Sequence, residues 1–348
     1  MKDRKSFILA VCCVLLLSAC GQASIQEDEL PGSYAVGVIC TSGSHDKSSI
    51  LYFDDDLNQT GVTCYPYATM GELFYAPVIF EDTVYTVPQG QANRKDEKVI
   101  LQQNLETFEW QTYSLDQIAI YGLSVDSSAI FAASNMNGRS FVSRVDKADG
   151  TVKTAAYDEI YISLVYSYDN KLYAFSSQHT GAETRGTLHC LDPVTLEELQ
   201  RVDLTPFGNA VYSVVGVDDT LYFTPVETSQ GTSNHIVGTY HTETGEVGAI
   251  EFSDVVYHVL NVDDALYVTH GDLVTGEGTA LSVYDIATQE IRTYDLGVWP
   301  GQIAIRGGAL YVMSANSIAK FDTHTMDKRS ETAILLEDGY YLSGIFSS

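Results

Sequence analysis

Residues 255–296, VVYHVLNVDDALYVTHGDLVTGEGTALSVYDIATQEIRTYDL, are the stretch that decides the fold. Their β-branched and aromatic residues come in short runs separated by polar or glycine-containing turns, which is typical of strands in a half-buried sheet. Asp263-Asp264 forms one of these turns, because Asp favours tight turns. The four predicted strands, called A to D in chain order, cover residues 256–260, 265–269, 279–284 and 290–296. One such sheet cannot bury both of its faces, so it requires further copies.

The same unit recurs along the chain. An aromatic residue assigned to strand B returns at intervals of 51, 46, 42, 49, 45 and 44 residues, at Tyr34, Tyr85, Phe131, Tyr173, Tyr222, Tyr267 and Tyr311. Strand C ends each time on a residue that opens a tight turn, at Asp54, Asn104, Asp146, Asp192, His241, Asp285 and Asp322. Asp and Asn hold such turns by hydrogen bonds to the backbone two residues on. A four-stranded unit with this period predicts the blade of a β-propeller.

The number of strands predicts how the ring closes. The first blade begins at Ser33 with a B strand and has no A strand before it, whereas residues 340–347 follow a complete seventh blade. We therefore predict an all-β fold: a seven-bladed β-propeller of four-stranded antiparallel blades, closed by the C-terminal strand, which completes blade 1. The propeller is expected to span residues 33–348.

The repeat resembles the quinoprotein-like and YVTN-like propellers. The likeness lies in an LYxx strand followed by a D-x-x-T turn, as at Leu172-Tyr173 and Asp192-Pro193-Val194-Thr195, and it extends over the predicted propeller. The Trp-Asp dipeptides of WD repeats are absent, and so is the Tyr-Trp-Thr-Asp repeat of lipoprotein-receptor propellers. The resemblance implies the fold and says little about activity, because one fold carries many functions.

The N-terminus resembles that of a bacterial lipoprotein. A basic start is followed by an apolar run, residues 6–17, that is too short to span a bilayer comfortably, and then by Leu17-Ser18-Ala19-Cys20-Gly21, which is similar to a lipobox. The resemblance implies a signal peptide over residues 1–19 and lipid on Cys20, with a flexible tether over residues 20–32. The protein would then be anchored to the cell membrane on its extracytoplasmic side. An ordinary signal peptide is the alternative.

The charge excludes one class of partner. The chain has 19 Lys and Arg against 46 Asp and Glu, and removal of residues 1–19 leaves 16 against 45, a net charge of −29. So acidic a surface argues against nucleic-acid binding, which requires a basic footprint. It is typical of a soluble, exposed protein. Calcium binding by clustered carboxylates is the alternative, and Asp54, Asp55 and Asp56 are the weak candidates, since they lack the spacing of a calcium loop.

Three cysteines remain in the predicted propeller. Cys40 and Cys64 fall on strands B and D of blade 1, about 9.5 Å apart and beyond the reach of a disulfide. We expect these two and Cys190 to be buried or half-buried thiols that pack as small apolar groups. A bridge between Cys40 and Cys64 is the alternative.

Signatures of catalysis are absent from the sequence. It has no sialidase Asp box, no G-x-S-x-G, no H-E-x-x-H and no phosphate-binding glycine loop, and its adjacent pair Cys12-Cys13 lies in the signal segment. The histidines lack zinc-ligand spacing, and the sequence predicts no cofactor. His189 and His241 lie on predicted C strands, where a hydrogen-bonded structural role is expected.

Loop lengths carry the best signal for function. The connections between strands B and C are long in blades 1 to 6, and in a propeller they share one face with the D–A connections. The candidate ligand-binding residues of this B–C face are Gln91, Arg94, Asn137, Arg139, His179, Arg185, His235 and His270. Aromatic residues also stand near the D–A connections, and most of them are expected to pack between blades: Tyr65, Tyr67, Phe74, Tyr75, Tyr157, Tyr161, Phe207 and Trp299.

Two functions are compatible with this pattern. The first is an extracytoplasmic binding or scaffold module that engages a protein or a glycan through the B–C face. The second is a lyase or hydrolase acting on a glycan or peptide, with residues such as His179 and Arg185 at the channel mouth. The absence of catalytic motifs favours the binding or scaffold module.

Overall fold

The structure, a computed structural model, describes residues 28–90, 97–272 and 275–347. Within these ranges the regular elements are strands, arranged as seven four-stranded antiparallel sheets. These sheets are the blades of a seven-bladed propeller, as the repeat predicts. Among the residues described, none forms a helix with the length and apolar composition to cross a bilayer.

Four consecutive strands make each blade except the first. Blade 1 contains β1 (Val36–Ser42), β2 (Ser48–Phe53), β3 (Gln59–Tyr65) and β28 (Tyr340–Ser347). Blade 2 contains β4 (Val78–Phe80), β5 (Thr83–Thr86), β6 (Val99–Asn104) and β7 (Trp110–Ser114). Blade 3 contains β8 (Ile120–Val125), β9 (Ala129–Met136), β10 (Arg139–Asp146) and β11 (Val152–Asp158). Blade 4 contains β12 (Tyr161–Tyr168), β13 (Lys171–His179), β14 (Thr184–Leu191) and β15 (Glu198–Asp203).

The remaining blades follow the same order. Blade 5 contains β16 (Asn209–Val217), β17 (Thr220–Glu227), β18 (Ile236–His241) and β19 (Val247–Glu251). Blade 6 contains β20 (Val256–Val262), β21 (Ala265–His270), β22 (Ala280–Asp285) and β23 (Ile291–Asp295). Blade 7 contains β24 (Gln302–Arg306), β25 (Ala309–Met313), β26 (Ser317–Asp322) and β27 (Lys328–Ala333).

The C-terminal strand closes the ring. β28 pairs antiparallel with β1 from Val36↔Ser347 to Ser42↔Tyr340, and it is the innermost strand of blade 1. The predicted closure is therefore confirmed. β28 therefore covers the edge of β1, which would be unpaired if blade 1 had only its three N-terminal strands.

The repeated aromatic of blade 1 was assigned to the wrong residue. In blades 2 to 7 the repeated aromatic of strand B pairs with a residue of strand C that stands two positions before the turn-opening residue. In blade 3, for example, Phe131 pairs with Arg144, and the turn opens at Asp146. In blade 1 that place is taken by Gly37, which pairs with Tyr52, and not by Tyr34. A Cβ on Gly37 would meet the ring of Phe346 at 2.3 Å. The closing strand thus supplies the aromatic ring that the B strand of blade 1 lacks.

The hydrophobic core lies between neighbouring blades. Phe131 and Val142 of blade 3, for example, pack with Leu172 and Leu191 of blade 4, and all four are fully buried. A comparable cluster fills each of the seven interfaces. Burial of apolar surface between blades therefore stabilises the ring.

The predicted C–D turns are confirmed. The Oδ1 of Asp192 accepts hydrogen bonds from the backbone N–H groups of Val194 and Thr195, at 2.9 and 2.6 Å. The Oδ1 of Asn104 and the Nδ1 of His241 accept the equivalent bonds in blades 2 and 5. The repeat was visible in the sequence because these turns require one of a few acceptor side chains.

The end of the predicted tether contacts blade 1. Glu29 exchanges backbone hydrogen bonds with Val62 on the outer edge of β3, and the carboxylate of Asp28 accepts from the N–H of Cys64 at 2.8 Å. These residues pair with the sheet and do not extend freely, so they shield part of its outer edge. The predicted signal peptide and Cys20 lie outside the described residues.

Cys40, Cys64 and Cys190 form no disulfide with one another in the described part of the chain. Cys40 and Cys190 are buried and Cys64 is partly buried. Burial raises the pKa of the Cys40 thiol to about 11, and the nearby charge of Glu337 adds to this rise. A thiol with so high a pKa is protonated at neutral pH and packs as a small apolar group.

Candidate functional site

One D–A connection is unlike the others. Residues 66–77 join β3 to β4 and are longer than any other D–A connection, such as residues 159–160 between blades 3 and 4. We call residues 66–77 the crossing segment, because it runs from blade 1 across the central channel and contacts the inner strands of blades 6 and 7. Its centre is a tight turn from Glu72 to Tyr75, in which the N–H of Tyr75 donates to the carbonyl of Glu72.

Three side chains from the far side of the ring hold this turn. The hydroxyl of Tyr257 donates to the carbonyl oxygen of Leu73 at 2.8 Å, and the Nε2 of His258 lies 3.0 Å from the carbonyl oxygen of Phe74. The amide nitrogen of Gln302 donates to the carbonyl oxygens of Glu72 and Leu73 at 2.9 and 3.1 Å. The backbone carbonyls of Glu72, Leu73 and Phe74 therefore each accept a hydrogen bond from a side chain of blade 6 or 7.

Blade 1 fixes the entry of the segment. The backbone N–H of Met70 donates to the Oγ1 of Thr41 at 2.7 Å, and its carbonyl accepts from the Oγ of Ser343 at 2.6 Å. Gly71 follows at φ +76° with its N–H bonded to Val87, and a Cβ there would lie 3.0 Å from the Oγ of Ser343. Glycine suits this position because it adopts positive φ without strain.

Tyrosines surround the turn. They come from the crossing segment, from the inner strands of blades 3 to 6 and from the closing strand, and we call them the tyrosine ring: Tyr75, Tyr121, Tyr161, Tyr212, Tyr257 and Tyr341. The ring of Tyr75 lies 5.5 Å from that of Tyr212 and 6.4 Å from that of Tyr121, between centroids. All six residues lie near the start of an inner strand or in the crossing segment. They therefore line the channel mouth on the face shared by the B–C and D–A connections.

Glu72 is the acidic group at the centre of the tyrosine ring. Its Oε1 accepts a hydrogen bond of 2.8 Å from the Nε2 of Gln89, a buried side chain. Burial raises the pKa of the Glu72 carboxyl above its ordinary value, and the hydrogen bond from Gln89 opposes this rise. Burial also raises the pKa of each of the six tyrosines, and the charge of Glu72 adds to that rise in all of them. The six hydroxyls are therefore protonated at neutral pH.

Apolar side chains at the tip of the turn face outward. Leu73 is 36% exposed and Phe74 is 39% exposed, although the backbone on which they stand is fixed by the hydrogen bonds above. Tyr161 is exposed beside them to 39%. A rigid, apolar and aromatic surface at the centre of a face is typical of a binding site.

A cavity lies beneath the crossing segment. It has a volume of about 380 Å³ and is roofed by Tyr75, Ala76 and Pro77. Its walls are the inner strands of blades 2 to 6, with mostly apolar side chains such as Val125, Val165 and Leu260. The crossing segment thus closes the channel at the B–C face.

The chain is similar to solved β-propellers. Apo AztD from Citrobacter koseri shares 12% identity over 91% of this chain and 98% of its own, with a TM-score of 0.55. The dihydro-heme d1 dehydrogenase NirN shares 10% identity over 91% of this chain and 77% of its own, with a TM-score of 0.54. BamB from Moraxella catarrhalis shares 11% identity over 78% of this chain and 79% of its own, with a TM-score of 0.50. No family model and no curated protein sequence matches the chain. At these identities the likeness establishes the propeller fold alone.

The polar residues predicted on the B–C face stay within their own blades of the propeller. Arg139 pairs with Asp158 at 2.7 Å, and Arg185 pairs with Glu183 at 3.5 Å. The Nδ1 of His179 lies 3.4 Å from the Oγ1 of Thr184. His235 is exposed at the start of strand C of blade 5, and Gln91 and Arg94 lie outside the described residues. These contacts do not bring the predicted residues into one pocket.

Two of the predicted positions differ from expectation. The loop expected around Asn137 is a two-residue turn, Asn137-Gly138, with φ of +53° and +77°. His270 was expected in a loop but is the last residue of β21 and only 2% exposed. Its Nε2 bonds to the Oγ of Ser282 at 2.7 Å and its Nδ1 to the carbonyl of Val255 at 3.2 Å. The strands extend further than the polar sequence indicated, because cross-strand hydrogen bonds satisfy these polar side chains.

The carboxylates of the candidate calcium triplet have other partners. The Oδ1 of Asp54 accepts from the backbone N–H groups of Asp56 and Asn58 and holds the C–D turn of blade 1. The Oδ1 of Asp55 accepts from the hydroxyl of Tyr311 at 2.9 Å and lies 3.4 Å from the Nζ of Lys320. In the part of the chain that the structure describes, no cluster of three His, Cys, Asp or Glu side chains has the geometry to hold a metal.

A row of three groups, of which Ser176 and His189 are buried, has the order of a hydrolase triad. The Oγ of Ser176 lies 2.9 Å from the Nε2 of His189, whose Nδ1 lies 2.6 Å from the Oε2 of Glu198. Ser176 is 5% exposed and His189 is 3% exposed, and the ring of Tyr157 from blade 3 packs beside His189. A substrate cannot reach the Ser176 hydroxyl, and the row links three neighbouring strands of blade 4, β13, β14 and β15. The structural role predicted for His189 is confirmed.

The sequence held a signal for the tyrosine ring. Tyr121, Tyr161, Tyr212, Tyr257 and Tyr341 each stand within the first four residues of an inner strand. Aligning the A strands, rather than the B strands, would have shown this repeat. Glu72 and Gln302 carry no comparable local signal.

Proposed function

We propose that this chain is a membrane-anchored, extracytoplasmic binding or scaffold module that engages a protein or glycan partner at the channel mouth. Lipid on Cys20 would supply the anchor, and the B–C face would carry the site. The binding surface comprises the crossing-segment turn, the tyrosine ring and the exposed side chains around them.

One observation carries this proposal. The turn that displays Leu73 and Phe74 is pinned by side chains of blades 6 and 7, so its apolar tip is held in place before any partner arrives. Exposing apolar side chains contributes nothing to the stability of the ring. A rigid apolar tip instead reduces the conformational entropy that a partner would lose on binding. The apolar character of the tip favours a protein or peptide over a glycan.

Site-specific photo-crosslinking tests the proposal in intact cells that produce the full chain. A benzophenone amino acid at position 74 samples the channel mouth, and the same group at position 264, an exposed A–B turn, samples the opposite face. We expect a discrete adduct from position 74 that is absent from position 264. Identical adducts from both positions, or none from position 74, would overturn the proposed face.

A further inference from the structure

We propose that Glu72 and the surrounding tyrosines bind a primary ammonium group. This inference rests on the proposed function and specifies the chemistry that the channel mouth recognises. Its starting point is a carboxylate that is partly withdrawn from water and has one hydrogen-bond donor, Gln89, but no ion-pair partner among residues 28–90, 97–272 and 275–347.

A carboxylate in this setting favours a cation. Removing a charge from water costs free energy unless an opposite charge is close, and burial already raises the pKa of Glu72. A cationic ligand would supply the missing partner. The net charge of −27 on the chain also attracts cations toward the surface.

The tyrosines favour an organic cation over a metal ion. Their faces offer the negative quadrupole to which ammonium groups bind, at centroid distances of up to about 6 Å. Their hydroxyls are protonated, because burial and the charge of Glu72 raise their pKa values. A divalent cation requires several anionic or imidazole ligands, and the described residues offer Glu72 alone at this point.

The space beside Glu72 selects the size of the cation. A recess of about 20 Å³ is lined by Glu72, Tyr75, Tyr85 and Tyr121. A recess of this size holds about one water-sized group. A primary ammonium head fits it, whereas a quaternary ammonium group does not. The rest of such a ligand would lie across the exposed surface of Leu73 and Phe74.

A primary ammonium group has two sources, a small free amine and the lysine side chain of a partner. Binding of n-butylammonium and of an acetylated Gly-Gly-Lys-Gly-Gly amide is measured by ligand-observed NMR on the purified full chain. The matched neutral probes are 1-butanol and the same peptide with norleucine, and choline is the quaternary probe. If n-butylammonium and the lysine peptide bind with equal affinity, the natural ligand is a free amine. If the peptide binds more tightly, the natural ligand is a lysine side chain of a partner.

The decisive variant is Glu72→Gln, which keeps the side-chain shape and the contact with Gln89 but removes the charge. We expect its affinity for the ammonium probes to fall about tenfold or more, the order expected for losing one close charge contact. Tyr121→Leu should weaken binding in the same direction. The control Glu251→Gln removes an equal charge on the exposed outer strand β19 and should leave affinity unchanged.

The outcomes separate this inference from the proposed function. Equal binding of charged and neutral probes, stronger binding of choline, or unchanged affinity in Glu72→Gln would overturn the ammonium site. The ligand class would be overturned, and the binding face retained, by two results together. These are no ammonium binding to the unsubstituted chain and a position-74 crosslink that persists in Glu72→Gln. Absence of both the position-74 crosslink and ammonium binding from the unsubstituted chain would overturn both.

Discussion

The Nε2 of His258 lies 3.0 Å from the carbonyl oxygen of Phe74, although 184 residues separate the two in the chain. This bond joins the crossing segment to blade 6, and His258 must be neutral with its proton on Nε2 to donate it without burying a charge. Burial lowers the pKa of His258 to about 4, and the hydrogen bond to Phe74 opposes that shift.

Stability should therefore fall as the solution is acidified. Between the unfolded pKa of about 6.5 and the folded pKa of about 4, the unfolded chain binds the extra proton. The stabilisation by neutral His258 is fully present above pH 6.5 and is lost as pH falls toward 4. We expect this group to account for about 3 kcal/mol of the decrease in unfolding free energy. Urea denaturation between pH 4 and pH 6.5 measures this decrease in unfolding free energy, and His258→Gln is the control that does not titrate. Parallel pH curves for the two proteins would contradict the assignment.

Replacing Gln302 by Ala should destabilise the crossing segment. The substitution leaves the carbonyls of Glu72 and Leu73 without this donor, and the N–H of Ile345 without its acceptor, in a site where Gln302 is fully buried. The carbonyl of Glu72 keeps the N–H of Tyr75, and that of Leu73 keeps the hydroxyl of Tyr257, so we expect a loss of about 1–2 kcal/mol, typical of lost hydrogen bonds. Hydrogen exchange over residues 66–77 should accelerate more than exchange in blade 4. Gln111→Ala, at an exposed position of β7, is the control and should have little effect.

Phe346→Ala should weaken ring closure. The Phe346 ring is 2% exposed and covers Gly37, so its removal leaves a cavity that a glycine cannot fill. We expect a loss of about 3–5 kcal/mol in unfolding free energy. Leu335→Ala, at a side chain that is 99% exposed, should change stability by less than about 0.5 kcal/mol.

Deleting residues 340–348 tests closure more severely. The deletion removes β28 and exposes the edge of β1, so aggregation or unfolding is expected. Size-exclusion chromatography and thermal unfolding report the result. A truncated chain that stays monomeric with an unchanged Tm would show that the ring does not depend on its last strand.

Cys20→Ser should release the protein from the membrane fraction if the lipobox is functional. The lipid would be missing, and a tether of polar residues has no affinity for a bilayer of its own. Metabolic labelling with a radioactive fatty acid and fractionation check this expectation. Unchanged membrane association of the unlabelled variant would contradict the proposed anchor.

The fold was predictable because the repeat depends on local chemistry. Turn-opening residues such as Asp192 and Asp322 form their bonds within a few positions, so their pattern is visible in the sequence. The assignment failed at Gly37, where the aromatic ring comes from Phe346 at the other end of the chain.

The candidate site was less predictable for the same reason. Long polar B–C stretches predict binding loops, but Asn137 lies in a tight turn, and His270 is buried with its Nε2 hydrogen-bonded to Ser282. The bonds that place Glu72 at the centre come from Gln89 and Gln302, and the second is 230 positions away. No periodicity encodes such a contact.

The crossing segment also imposes an order on biosynthesis. Its turn at residues 72–75 leaves the ribosome 184 positions ahead of its partners in β20, an interval of roughly 10–40 s at usual elongation rates. During that time Leu73 and Phe74 lack their hydrogen-bonding partners in blade 6, and blade 1 lacks its closing strand, β28. The turn must therefore bind to blades 6 and 7 among the last events of folding. A correctly formed channel mouth is then present only when the preceding blades have assembled.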